Sequence, residues 1–249
     1  MTLSHALLLF AVGICSAFLN VMAGGGSAIT LPILIFLGLD SAVANGTNRV
    51  AILIQNISAV SSYRKREVHA LRQSISYTLW ALPGAIAGAV AGVTVSDSVF
   101  QKILGVVMIG IVATLLLPNK KVAEAGTGGE ARQPRWIYPV MFGIGMYGGF
   151  IQVGVGFLFM TALYHGLKLN LVYVNMHKVT IVMIYMIPTL AIYAFTGNVN
   201  WLMGLTLGAG SAVGGWWAAH VSVKGGERVI RWVLIVAILL MAVKLFGVF

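Results

Sequence analysis

Two cations set among long apolar stretches, Arg49 and Lys178, are the residues of this chain best suited to hold a charged solute. A Lys or Arg at membrane depth costs roughly 3 kcal/mol on insertion scales, so it normally faces a cavity or a partner. All six acidic residues, Asp40, Glu67, Asp97, Glu124, Glu130 and Glu227, fall in loops or at segment ends. With no carboxylate inside a span, the negative charge of a solute is a candidate partner for both cations. The alternative is that both lie near helix ends and carry their charge to the membrane surface along their aliphatic stems.

Glycines flank this chemistry. Gly24, Gly25 and Gly26, and later Gly154 and Gly156, allow a sharp break and close backbone approach. A helix that starts at such a break points free N–H groups and a positive dipole end at an anion. Helices beginning near Ser27 and Phe157 would do so, although small residues also serve plain helix packing in membranes. Packing is the expected role of Gly84, Gly88 and Gly92 and of Gly210 and Gly214, each spaced by four. Asn20 and Ser27 adjoin the first break and Gln152 the second. Asn45, Thr47, Asn48, Asn56, Asn175, His177 and Thr180 lie near the two cations and complete a candidate binding set. His177 is suited to carry a coupling proton near neutral pH, or to bridge two helices by a hydrogen bond. The other histidines lack metal-ligand spacing, the single cysteine, Cys15, rules out an internal disulfide, and no Walker-type phosphate loop occurs. No catalytic residue, metal site or cofactor is expected.

The elements that must position these residues follow from composition. Of 249 residues, 59% are hydrophobic and 9% charged, too few charges to cover a water-facing globule of this size. Runs such as 169–195 and 230–249 are long enough to cross a hydrocarbon core of about 30 Å. The formal net charge of +10 lies in short loops: Arg64, Lys65, Arg66 and Arg72; Lys120, Lys121, Arg132 and Arg135; Lys224, Arg228 and Arg231. That placement marks cytoplasmic loops and gives no reason to expect nucleic acid. Ten helical segments are predicted, near 3–22, 27–38, 41–62, 73–95, 99–117, 136–153, 156–167, 169–195, 200–222 and 228–247.

The polar stretch 118–135 divides the chain into halves, 1–117 and 136–249. The halves resemble each other: Gly24 and Gly26 fall against Gly154 and Gly156, Arg49-Val50 against Lys178-Val179, and Gly84 and Gly88 against Gly210 and Gly214. The loops 64–72 and 118–135 both belong inside, so each half crosses an odd number of times and the second is inserted upside down. Both termini then lie outside. The expected fold is an all-α polytopic membrane helix bundle, two inverted-topology repeats of about five helices with Gly-broken short or re-entrant helices, and such folds bind solutes at the midplane.

Ala23-Gly-Gly-Gly-Ser27, then Pro32, Gly38, Ala44-Asn-Gly-Thr-Asn-Arg49 and a basic turn after Tyr63 resemble the TauE/SafE sulfite exporter family, from about Leu7 to Phe246. The weaker second copy, Gly154-Val-Gly156 through His177-Lys178, fits as well but lacks a following proline. The resemblance implies a multi-pass protein of the bacterial cytoplasmic membrane that moves sulfite, sulfonates or related organic anions. A proton or sodium as coupling ion and a homodimer are compatible with it. The alternatives are a metal-cation carrier, which would need oxygen or His/Cys ligands in the spans, and a membrane assembly factor without transport activity.

Overall fold

A computed structural model describes residues 1–68, 71–116, 134–167 and 169–245, all-helical where structure is regular. Most of the expected linker, 117–133, and Lys168 lie outside the described residues. The order is α1 (Leu3–Ala23), α2 (Ser27–Phe36), α3 (Ser41–Arg64), α4 (Leu71–Thr94), α5 (Asp97–Leu116), α6 (Ile137–Phe150), α7 (Val155–Leu167), α8 (Leu171–Phe195) and α9 (Trp201–Leu245). α9 is interrupted at Gly226, whose φ of 60° and ψ of −160° are not helical. Among the described residues, ten rods therefore stand where ten apolar segments are predicted.

Local chemistry sets the ends. The Thr2 hydroxyl accepts from His5 N–H at the start of α1, and the Asn170 side chain accepts from Val172 N–H at the start of α8. Such caps satisfy amides that a first turn leaves without partners. The Asn200 side chain takes the Met203 amide of α9 at 3.1 Å. α1 stops at Gly24 and α6 runs into Gly154, both at positive φ, 83° and 73°, where a side chain would be strained.

α2 and α7 turn back instead of continuing. Gly26 lies against the Ser16 carbonyl and the Asn20 side chain, which places α2 alongside α1. Leu31 and Leu34 of α2 share an apolar cluster with Leu9 of α1. In the second half, Gly166 near the end of α7 lies against Trp136 and Ile137 at the start of α6. With 10 and 13 residues, α2 and α7 are only about 15–20 Å long. Each folds back along the helix before it as the short arm of a helical hairpin.

Packing between the halves is reciprocal. α1 packs along α9 with Gly13 against Leu207, Gly210 against Phe10 and Gly214 against Ile14. α6 packs along α4 with Gly145 against Ala81, Gly84 against Phe142 and Gly88 against Met146. In every case a methyl group would strike a backbone carbonyl, which makes these glycines packing residues, as expected. Gly145 takes in the second half the place that Gly13 has in the first. α3 and α8 pack on each other at the centre, α3 also against α9 and α8 against α4.

Because α3 is covered on most sides, it can be polar. Sixteen of its 24 residues are buried, including Asn45, Thr47, Asn48, Arg49, Gln55 and Asn56. The long apolar helices α1, α4 and α8 bury half of their length or less and meet the requirement for crossing a membrane. Arg64 and Lys65 are exposed at one end of the bundle, where Arg66 contacts His220 and Tyr63 donates to Ser222 at 3.0 Å. Asp40 and Asp97 are exposed at the other, joined by the Ser41 N–H donating to Asp97 at 2.6 Å.

Candidate functional site

The two hairpin tips meet. A methyl group on Gly24 would strike the backbone of Gly156 and Phe157, and one on Gly156 would strike Gly24. Only glycine lets the two chain breaks touch main chain to main chain. The Gly24 N–H reaches the Leu19 and Asn20 carbonyls and the Ile151 N–H the Tyr147 carbonyl. The carbonyls beyond these at the ends of α1 and α6 have no intrahelical donor, and the two cations answer that need.

Lys178, 2% exposed, donates from its ammonium to the Asn20 and Val21 carbonyls at 3.1 and 2.7 Å and to the Asn175 side-chain oxygen at 2.8 Å. It thus closes the end of α1 from α8. Arg49, fully buried, donates to the Gly148 carbonyl at 3.4 Å and also to the Gly149 carbonyl, with its guanidinium 4.5 Å from the Tyr193 ring centroid. Asn45, one turn earlier, donates to the Phe150 carbonyl at 2.8 Å and to Tyr193 at 2.7 Å. Three consecutive carbonyls at the end of α6 are therefore held from α3. A cation is favourable at a helix C-terminus, where the dipole is negative. Neither side chain reaches for the membrane surface, and no Asp or Glu is among the buried described residues.

The cations are not brought to one point. Asn45 and Asn175 are each the fifth residue of their helices, counted from Ser41 and Leu171. In that register Lys178 corresponds to Asn48, and Arg49 stands one place further. The contacts agree: Asn48 accepts from Thr30 of α2 at 2.7 Å, whereas Lys178 reaches Met160 of α7 at 3.4 Å.

Two narrow polar cavities adjoin the tips. The first is lined by Asn20, Gln55, Asn56, Gln152, Gly156 and Lys178, with Val155 and Val182. The second is lined by Ser16, Asn20, Gly26, Ser27, Thr30, Asn48, Gln55 and Ser211, beside Ala51 and Ile52. Each has a volume of ≈ 10 Å³, about the room of a single water centre. They share Asn20 and Gln55, joined by a 3.3 Å hydrogen bond. Two amides at their walls keep one polar atom without a protein partner, Gln152 at its oxygen and Asn48 at its nitrogen.

Of the residues singled out by sequence, Lys178, Asn20, Gln152, Gly156, Gly26, Ser27, Asn48 and Asn56 line these cavities. Gly24, Gly25 and Gly154 form the breaks beside them. Arg49, Thr47, Asn175, His177 and Thr180 do not line them. Thr47 accepts the Asn200 N–H at 2.9 Å and so anchors the start of α9. His177 bonds to Ser74 of α4 at 2.8 Å, the interhelical arrangement. Thr180 donates to the Met176 carbonyl of its own helix. Gln55, Thr30, Ser16 and Ser211 were missed. Gln55 was legible, because Asn48, Ile52, Gln55 and Asn56 fall on one face of α3 at helical spacing. Among the described residues no group of His, Cys, Asp or Glu is placed to hold a metal ion.

A family model described as Sulfite exporter TauE/SafE matches residues 9–245. A "Probable membrane transporter protein" of Haemophilus influenzae is 26% identical over 96% of this chain and 93% of its own length. "Probable membrane transporter protein ORF9" of a Sinorhizobium species is 25% identical over 95% of this chain and 90% of its own. "Probable membrane transporter protein YfcA" of Escherichia coli K12 is 26% identical over 95% and 88%. No solved structure matches the chain.

Proposed function

Since the chain belongs to the TauE/SafE sulfite exporter family and is a membrane transporter, we propose that its cargo is a small sulfur-containing or organic anion such as sulfite or a sulfonate. The direction we propose is outward across the bacterial cytoplasmic membrane, in alternating-access steps. The carrying observation is Lys178: a buried ammonium at the wall of a central cavity, with no carboxylate among the buried described residues to neutralise it. Gln152, Asn20 and Asn56 each give one amide N–H to a protein acceptor, at Tyr185, Gln55 and Ile52, and have a second for an oxyanion oxygen. α7 starts at the same cavity, adding the positive end of a helix.

The cavity is closed around a space too small for a sulfite ion. Opening of this cavity toward either face would be needed to admit the anion. Arg49 serves as a positioning residue, holding the end of α6 while the anion takes the ammonium. The basic residues at the Arg64–Arg66 end support a cytoplasmic placement for that face, with both termini outside. The two reciprocal halves support an inverted repeat. A metal-cation carrier is disfavoured by the buried ammonium at the cavity.

The test is thermal unfolding of purified protein with sulfite, methanesulfonate, acetate and divalent cations at constant ionic strength. A ligand at about a hundred times its dissociation constant stabilises by roughly 2.7 kcal/mol. Stabilisation by one anion class, lost in Lys178→Gln, supports the reading; stabilisation by a divalent cation alone overturns it.

A further inference from the structure

The second cavity has a different chemistry from the first. No charged side chain lines it, and its walls carry hydroxyls and amides. An uncharged polar cavity next to the N-terminus of α2 could hold an anion or a cation. The hydroxyl protons decide between them. Ser16 and Ser211 both donate to the Gly13 carbonyl, at 3.3 and 3.4 Å, and Thr30 donates to Asn48 at 2.7 Å. A hydroxyl has one proton and two lone pairs, so what these three have left for the cavity is lone pairs. The Asn20 amide nitrogen donates one N–H to Gln55, and the Asn20 oxygen remains as an acceptor beside the second N–H.

Asn48, 1% exposed, has no partner for its amide nitrogen. Turning the Asn48 amide over makes Thr30 the acceptor of their bond and presents a carbonyl oxygen to the cavity. One Thr30 lone pair is then left for an ion, with the hydroxyl proton free to turn away from it. The walls then carry oxygens from Ser16, Asn20, Thr30, Asn48, Gln55 and Ser211. Neutral oxygens without a carboxylate suit a monovalent cation, since divalent ions in protein sites draw on carboxylates. α1 also ends at this point, and the C-terminal end of a broken helix is a recurring element of sodium sites in transporters.

We propose that this cavity is a sodium site, and that sodium is the coupling ion of the transporter. The binding of sodium stands on the hydroxyl geometry together with the turned Asn48 amide; its coupling role rests on the transport reading. Register adds support. Asn48 corresponds to Lys178, so one half places an ammonium where the other places a neutral amide beside room for an ion.

The test uses the purified full chain in detergent, with sodium chloride titrated against choline chloride at constant ionic strength and no other anion present. The unfolding temperature is expected to rise with sodium and saturate, and not with choline. Thr30→Val, which keeps shape and removes one oxygen, should raise the half-saturating sodium concentration by about 10-fold. Lys178→Gln should keep the sodium response while losing the anion response. Identical unfolding in sodium and choline overturns the proposal, as does a Thr30→Val response equal to that of the unaltered chain. Should Thr30→Val not fold, Ser211→Ala takes its place, and the titration of the unaltered chain decides by itself. A missing sodium response beside an intact anion response sinks this proposal only.

Discussion

Arg49 and Lys178 look alike in sequence and should behave differently when neutralised. An oxyanion about 4 Å from the Lys178 ammonium gains about 4 kcal/mol at an effective dielectric constant near 20. Lys178→Gln removes that attraction and should weaken anion binding by about 10³-fold. It also frees the Asn20 and Val21 carbonyls, but the glutamine amide still offers two donors at that depth, so most of the fold should survive. Arg49→Gln does not touch the cavity wall. It leaves the Gly148 and Gly149 carbonyls at the end of α6 short of donors and empties the space over the Tyr193 ring. Breaking a buried charged contact of this kind costs about 3–5 kcal/mol of stability. The assay is anion affinity by isothermal calorimetry on both variants, with thermal unfolding measured alongside. Binding lost in Lys178→Gln with a modest change in unfolding, and the converse in Arg49→Gln, is the expected pattern. If Lys178→Gln binds as the unaltered chain does, or if folded Arg49→Gln loses more affinity than Lys178→Gln, the assignment of roles is refuted.

Gly24→Ala should destabilise by about 3 kcal/mol or more, from positive-φ strain together with overpacking against Gly156 and Phe157. Gly38→Ala is the control in the same unfolding assay. Gly38 has a φ of +92° but open space around it, so only the strain of about 1–2 kcal/mol should appear. Tyr63→Phe removes the bond to buried Ser222 that ties α3 to α9, and denaturant unfolding should show a loss of about 1–2 kcal/mol. His177→Gln keeps a partner for Ser74 and leaves both cavities as they are, so the pH profile of transport in proteoliposomes should not move. A shifted profile would make His177 a proton carrier instead.

Much of the architecture was legible because membrane helices declare themselves by length and apolarity. The glycine breaks could be read for the same reason that they exist, since chain reversals that touch main chain to main chain need residues without a side chain. The hairpins could not be read fully. Whether α2 and α7 cross or return depends on what their faces touch, and Leu31 packing near Leu9 is invisible in a pattern of apolar residues. The cations mark the clearest limit. Sequence reading asked which acid or solute could neutralise them and overlooked the carbonyls that every broken helix exposes at its end. That omission also placed Arg49 opposite Lys178, a register one residue away from the one in which Asn45 and Asn175 correspond. Gln55 was passed over because it is neither charged nor next to a glycine, although its helical face already carried Asn48 and Asn56.

The difference between the two cavities has a consequence for how their occupants would communicate. Asn20 is bonded through its carbonyl to the Lys178 ammonium and through its side chain to Gln55, and both Asn20 and Gln55 belong to both cavity walls. An anion that draws the ammonium toward itself takes a donor from the end of α1. The Val21 carbonyl then loses its donor while the Asn20 carbonyl keeps the Gly24 N–H, and a cation in the cavity proposed for sodium would lie beside the same helix end. Occupants of opposite charge would therefore favour each other, both through direct attraction and through the shared helix end. Two anions would compete for the same donors. Reciprocal hairpins carrying unequal residues, an ammonium in one and an amide in the other, thus supply a physical route to binding two unlike ions together.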